Sequence, residues 1–221
     1  MRLHGDEIRR AVWHGNSKGR QPQDLAAAAI AAVAPTSILE VGCGTGVFAA
    51  RLLKEHPTAR LIATDQSARL VALTHERGVD ARIADLMALP FDDASFDVVV
   101  AMWMLYHVPD LQGALAQVRR VLRPGGLFMA VTNGDEHMAG LLREAGGDPW
   151  ITQLSSENGS QALATHFDHV EQSHIATRAV FPDHASAQAY LASFDPDLAA
   201  ALPVFAGERE YAGATCVFTC R

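Results

Sequence analysis

The sequence predicts an α/β fold, a mostly parallel sheet with helices on both faces. Three observations carry this. Short apolar runs alternate with helical patterns through residue 132, the order that builds strand–helix–strand units. The segment Ile38–Gly46, ILEVGCGTG, stops an apolar run at three alternating glycines and passes into the helix-compatible Val47–Leu53. Two longer β-rich stretches then close the chain, at 168–180 and 211–220.

Element by element, residues 6–15 and 22–34 read as helices ahead of a first strand at 37–41. A helix over 45–55 is stopped by Pro57, which lacks an amide donor and clashes with the preceding turn. Strand 60–64, helix 67–77 and strand 80–84 follow, with Gly78 as the helix stop. Strand 96–102 leads through a loop to a helix near 110–122, and Pro124-Gly125-Gly126 turns into strand 127–132. Helix 135–146 ends at Gly146-Gly147. The polar loop 155–160 enters a helix near 160–166, with Asn158-Gly159 expected at positive φ. Strand 168–180, helix 184–194, a short segment 197–203 and strand 211–220 complete the chain.

The chain has 221 residues, long enough for one domain with a sizeable core. The expected organisation is one domain over 1–221: a helical cap or lid at 1–35, a ligand-binding core at 36–132 and a substrate-side part at 133–221. Net charge is −7, with no Lys/Arg run beyond Lys18-Gly19-Arg20 and Arg119-Arg120, which argues against nucleic acid as a partner. Cys43, Cys216 and Cys220 form no framework of pairs. Cys216 and Cys220 sit at even spacing on one strand and read as packing. With no apolar leader and no run of about 20 apolar residues, the expectation is a cytoplasmic protein without a membrane span. The ten histidines lie in no metal-ligand spacing, so no metal is expected.

The chemistry concentrates at the glycine turn. Glycine reaches φ > 0 without strain and lets a ligand approach the main chain, and the helix start behind it leaves N–H groups unpaired. That is a setting for a polar nucleoside ligand. The sixth position from Gly42 is Val47, so the dinucleotide spacing is broken, and no Gly-Lys-Ser/Thr makes a Walker loop. Asp65 ends the second strand about 20 residues on, where an acid can accept from ribose hydroxyls. Asp65 also suits a helix N-cap, and Asp85 a solvated loop position.

In its G-x-G-x-G turn preceded by Glu40, the sequence resembles motif I of class I S-adenosylmethionine (SAM)-dependent methyltransferases. The run Thr64-Asp65, Ala84-Asp85-Leu86, Leu89–Asp97, Val98–Met102, Leu105–Asp110 and Leu122–Gly126 resembles the small-molecule type 11 group over roughly residues 30–132. The resemblance implies a Rossmann-like, seven-stranded, mostly parallel sheet with an antiparallel C-terminal strand. It implies SAM as cofactor and S-adenosyl-L-homocysteine as product. Gly42, Gly44 and Gly46 would line the methionine part, and Glu40 would face its ammonium through water. Asp65 would take the ribose, with Gln66 beside the adenine. Asp85 would take the adenine amino group, with Leu86 on the ring. Met102 and Trp103 would lie near the sulfonium.

His107, on the loop after the fourth strand, is the candidate base or else the anchor of that loop. Tyr106 and Trp103 would shape the acceptor pocket. Trp13, Lys18 and Arg20 belong to an odd N-terminal stretch that resembles a lid and could grip an anionic acceptor. Glu157 could reach the acceptor or serve a turn-plus-cap arrangement. The implied function is methyl transfer to a small organic acceptor. The alternatives are aminocarboxypropyl transfer or cyclisation, a SAM-binding module without catalysis, and RNA methylation.

Overall fold

The computed structural model describes residues 21–221. Trp13, Lys18, Arg20 and the expected helix 6–15 lie outside the described residues. Helix α1 spans Pro22–Ala32, and β1 spans Ser37–Val41. Then come α2 (Val47–Glu55), β2 (Arg60–Asp65), α3 (Ala68–His75) and β3 (Asp80–Ile83). A 3-10 turn at Leu86–Ala88 precedes β4 (Phe96–Met102), and a second at Leu105–His107 precedes α4 (Leu111–Val121). The chain continues through β5 (Leu122–Asn133), α5 (Ala139–Glu144), α6 (Gly159–Leu163), β6 (Val170–Phe181), α7 (His184–Ala192), α8 (Pro196–Ala201) and β7 (Arg209–Cys220).

The seven strands form one sheet in the order β3-β2-β1-β4-β5-β7-β6. Strands β1 to β5 pair in parallel, and the C-terminal strand is antiparallel. His169 and Arg221 each donate a backbone N–H to the other's carbonyl, at 3.0 and 2.9 Å, the reciprocal pair of an antiparallel ladder. The order reverses between β1 and β4. In open α/β sheets this is where a crevice forms at the carboxyl ends of the strands.

The sequence expectations hold for the order and type of the regular elements from 22 onward, with four differences. Helix 135–146 shortens to α5, because Met138 takes φ 59° and interrupts the helix ahead of it. Strand β5 starts at Leu122, paired with Phe96, and absorbs Pro124-Gly125-Gly126 at a register shift. Gly125 there takes φ 73°. The short segment near 197–203 is a helix, capped by Asp195, which accepts from the N–H of Asp197 and Leu198 at 3.0 Å each. Asn158-Gly159 does not adopt positive φ: Asn158 sits at −110°. Glycine is needed at 159 for space, since a Cβ there would meet the Phe218 ring at 2.4 Å.

Two compact units divide the described residues. The larger comprises Pro22–Thr132, Gln153–Ser173 and Cys216–Arg221. Its core joins Leu39, Val41, Ile62, Val99 and Phe128 to the inward stripe of α4, Leu111, Ala114, Leu115, Val118 and Val121. That stripe recurs at helical spacing, and Asp110 caps it by accepting from the Gly113 N–H at 3.0 Å. Cys216 and Cys220 are fully buried in the same core as free thiols. Arg120, one of the two locally basic residues, is a clamp: its guanidinium donates to the carbonyls of Leu89 and Phe91 and to Asp93 at 2.7–2.9 Å. The smaller unit, Asn133–Thr152 and His174–Thr215 with Gln21, has its own core of Leu141, Leu142, Phe181, Tyr190, Leu191 and Tyr211. There the Tyr211 hydroxyl donates to Glu144 at 2.6 Å.

Candidate functional site

Every expected site residue from Glu40 to Glu157 lies in the larger unit. The site starts at the carboxyl end of β1. Gly42, Gly44 and Gly46 all take positive φ, at 65°, 57° and 72°, which explains the alternation, since other residues rarely adopt that conformation. The Cys43 N–H donates to the Thr64 carbonyl at 2.9 Å, and Gly46 donates back to Cys43 at 2.9 Å, folding the turn against β2.

Packing also demands two of these glycines. A Cβ on Gly42 would fall 2.7 Å from the Met104 side chain, and one on Gly46 would fall 2.6 Å from that of Thr74. Thr74 also donates its hydroxyl to the Gly44 carbonyl at 3.2 Å. Met104 and Thr74 are site-forming residues that sequence reasoning missed. Neither sits in a motif, and only the fold brings them to the turn.

Asp65, at the end of β2, holds the turn from the side. Its Oδ2 accepts from the Gly44 N–H and its Oδ1 from the Ser67 N–H, each at 2.9 Å. The N-cap of α3 is Ser67, not Asp65. Asp85, beyond β3, is tied to the same place. Gln66 donates its amide to Asp85 Oδ1 at 3.0 Å, and the Met87 N–H donates to the same oxygen at 2.9 Å. Asp65 is half-buried and Asp85 exposed, so their carboxylates can take further donors. Leu86 packs into the core of the unit.

Glu40 is the least ordinary residue of the site. It is 2% exposed, and its Oε2 has no hydrogen-bond partner among the described residues. Burial pushes its carboxyl up to about 8; the Ala49 N–H in the first turn of α2 pulls the other way, and the nearby Asp65 adds to the rise. Burial also pushes the neighbouring Cys43 thiol up to about 12, so it is no nucleophile at neutral pH.

The wall beyond β4 is built by a break in the strand. Trp103 takes φ 52° and donates its N–H to the Val131 carbonyl at 2.8 Å. Left-handed backbone at a non-glycine costs roughly 1–2 kcal/mol, and such strain gathers at functional sites. Met102, Trp103 and Tyr106 are half-buried and His107 is exposed. The Tyr106 and His107 rings meet edge to face at 4.4 Å. Gln153 donates its amide to the Val108 carbonyl and anchors the end of this loop. Nearby in the same unit, Glu157 accepts from the Ser156 hydroxyl at 2.8 Å, and Asn158 accepts from the Ser155 N–H at 2.8 Å. These bonds close a turn ahead of α6, whose first turn has no side-chain cap bond.

Residues 39–130 match the family model described as a methyltransferase domain. The match takes in the glycine turn, Asp65 and Asp85 and covers less than half of the chain. The chain is similar to a malonyl-[acyl-carrier protein] O-methyltransferase of Herminiimonas arsenicoxydans, 40% identical over 109 residues, 48% of this chain and 41% of that protein. It is also similar to the 27-O-demethylrifamycin SV methyltransferase of Amycolatopsis mediterranei, 34% identical over 136 residues, 56% of this chain and 50% of that one. The chain thus matches about half or less of the length of these curated relatives. The crystal structure of the YcgJ protein from Bacillus subtilis superposes with a TM-score of 0.67 at 16% identity, covering 90% of this chain and 97% of that one. That likeness concerns the fold.

The cofactor of such methyltransferases is SAM, and the residues present fit it. A nucleoside with an amino-acid arm offers donors at three places: ribose hydroxyls, a purine amino group and an ammonium. The site offers three carboxyls at the ends of three adjacent strands, Asp65, Asp85 and Glu40. The Glu40 Oε2 is an acceptor that lacks a donor among the described residues.

Proposed function

We propose that this protein is a SAM-dependent methyltransferase that moves a methyl group to a small organic acceptor and leaves S-adenosyl-L-homocysteine. The observation that carries the reading is the joined acid frame. Asp65 holds the glycine turn through Gly44, and Gln66 holds Asp85, so strand ends one to three form one preorganised surface. In this assignment Asp65 takes the ribose, Asp85 with Gln66 the purine, and Glu40 with the Gly42–Gly46 turn the amino-acid arm. Met102 and Trp103 border the reacting centre.

The bound cofactor supplies a methyl on a positively charged sulfur, already activated toward a nucleophile. The protein then has to align the acceptor with that methyl and keep water away. Trp103 and Tyr106 are assigned to that wall, and Glu157, in the same unit, to the acceptor side. His107 lies at the end of the same loop, where an imidazole can take a proton from an alcohol or thiol acceptor. The acidic net charge of −7 favours a small molecule over nucleic acid. The three free thiols suit a reducing compartment, so we assign the protein to the cytoplasm. No described helix is long and apolar enough to cross a membrane.

The test is direct. The protein is incubated with SAM and a panel of small acids, phenols, amines and thiols, and nucleoside products are read by mass spectrometry. Acceptor-dependent S-adenosylhomocysteine is the expected product. Methylthioadenosine in its place would move the reading to transfer of the aminocarboxypropyl arm. Absence of any binding of S-adenosylhomocysteine at millimolar concentration would remove it.

A further inference from the structure

Asp65 and Asp85 account for the sugar and purine, but Glu40 is built differently from both. They are partly or fully exposed and already accept backbone or amide donors. Glu40 is buried on a central strand, with one carboxyl oxygen lacking any partner among the described residues. Among the described residues, the groups facing it are few. Strand β2 brings the Asp65 carboxylate, the turn brings the Cys43 thiol, and α2 brings only the Ala49 backbone N–H. From α3, Thr74 reaches Cys43 at 3.6 Å with a neutral hydroxyl. No cation is among these groups. A buried carboxylate with a like charge beside it and one N–H bond is poorly stabilised.

We infer that the amino-acid end of the cofactor binds with loss of a proton from Glu40, whose carboxyl is neutral in the ligand-free protein. This rests on the cofactor reading above and deepens it. In the step, the Glu40 O–H bond breaks and its proton passes to bulk buffer. The carboxylate left behind pairs with the incoming ammonium, directly or across one water molecule. Burial and, secondarily, the neighbouring Asp65 push the Glu40 carboxyl up to about 8, in the same direction. One consequence is selectivity by charge. The pocket accepts a neutral tail at no electrostatic cost, yet gains a full ion pair only with a ligand that carries an ammonium.

Calorimetry of the full chain decides it. S-adenosylhomocysteine is titrated near pH 7 in phosphate and in Tris, whose ionisation heats differ, and 5′-methylthioadenosine, which lacks the amino-acid arm, is titrated likewise. Close to one proton should be released with the first ligand and none with the second. Glu40→Gln should bind S-adenosylhomocysteine more weakly and without proton release. Affinity of the unaltered protein should climb toward about tenfold per pH unit from about pH 6 to 7.5. Binding without proton release, equal release with both ligands, or unchanged release in the variant overturns the inference while leaving the cofactor site standing. If Glu40→Gln fails to fold by circular dichroism, the two ligands on the unaltered protein decide alone. No heat or competition from either ligand removes the nucleoside site itself, and the inference with it.

Discussion

Asp65 does two jobs with one carboxylate. It is fixed by Gly44 and Ser67, and it is the group we assign to the ribose. Asp65→Ala should therefore weaken S-adenosylhomocysteine binding by about 1–3 kcal/mol, read by calorimetry; unchanged affinity would show the ribose held elsewhere. His107 is exposed at the end of its 3-10 turn. If it takes the acceptor proton, His107→Ala lowers kcat and leaves cofactor affinity in place. Equal loss in both would mark it as the anchor of its loop. Glu40 makes stability depend on pH with a definite sign. Its folded value lies above the ordinary 4.5, at about 8, so the native state holds more protons than the unfolded chain between those values. Stability from this group therefore falls as pH rises through that window. In ligand-free protein, Glu40→Gln should raise the urea midpoint relative to the parent more at pH 8 than at pH 5.

At the scale of elements, identical substitutions should have opposite signs. Gly159 opens α6, and a Cβ there meets the Phe218 ring at 2.4 Å within the same unit. Gly159→Ala should cost about 1–3 kcal/mol by overpacking. Gly140 lies in α5 with its nearest neighbour at 3.4 Å, an ordinary contact. Gly140→Ala should gain about 0.4–1 kcal/mol by lowering the entropy of the unfolded chain. Denaturant midpoints of the two variants check both signs. Asp97 shows how elements are stitched. It accepts from the Thr36 N–H and hydroxyl at 2.8 and 2.7 Å and from the Ser37 N–H at 3.0 Å, and it pairs with Arg123. Against the opposing effect of burial, these partners hold its carboxyl well below the usual range. The N-terminal ends of β1, β4 and β5 are thereby fastened at the end of the sheet away from the site.

For the molecule as a whole, the proposed cofactor residues lie in one of two compact units. A ligand that binds only the native form stabilises it by about 2.7 kcal/mol at a hundred times its Kd. S-adenosylhomocysteine at that excess should raise the thermal midpoint measurably, and Asp65→Ala should shrink the rise at the same concentration. A midpoint unmoved by ligand would contradict binding to the folded state.

The motif-bearing half was legible in the sequence because its signals are local. Three glycines at alternate positions need positive φ, an acid ends each of two strands, and an apolar stripe at helical spacing marks α4. The parallel direction of β1 to β5 follows from strand runs that alternate with helices, whereas their order in the sheet comes from the structure. Gly42 and Gly46 could be read as turn residues, yet Met104 and Thr74, which fill the space beside them, could not be named. They come from distant segments and carry no pattern. Asn158-Gly159 was misread for the same reason: the local preference for positive φ lost to the space taken by Phe218. Sequence alone thus determined the backbone scheme and named the charged groups of the proposed cofactor face. Tertiary structure alone decided which neighbours make Gly42 and Gly46 necessary and left one oxygen of the buried Glu40 carboxyl without a donor among the described residues. Burial and desolvation depend on what the rest of the chain brings near, and spacing along the chain does not encode that.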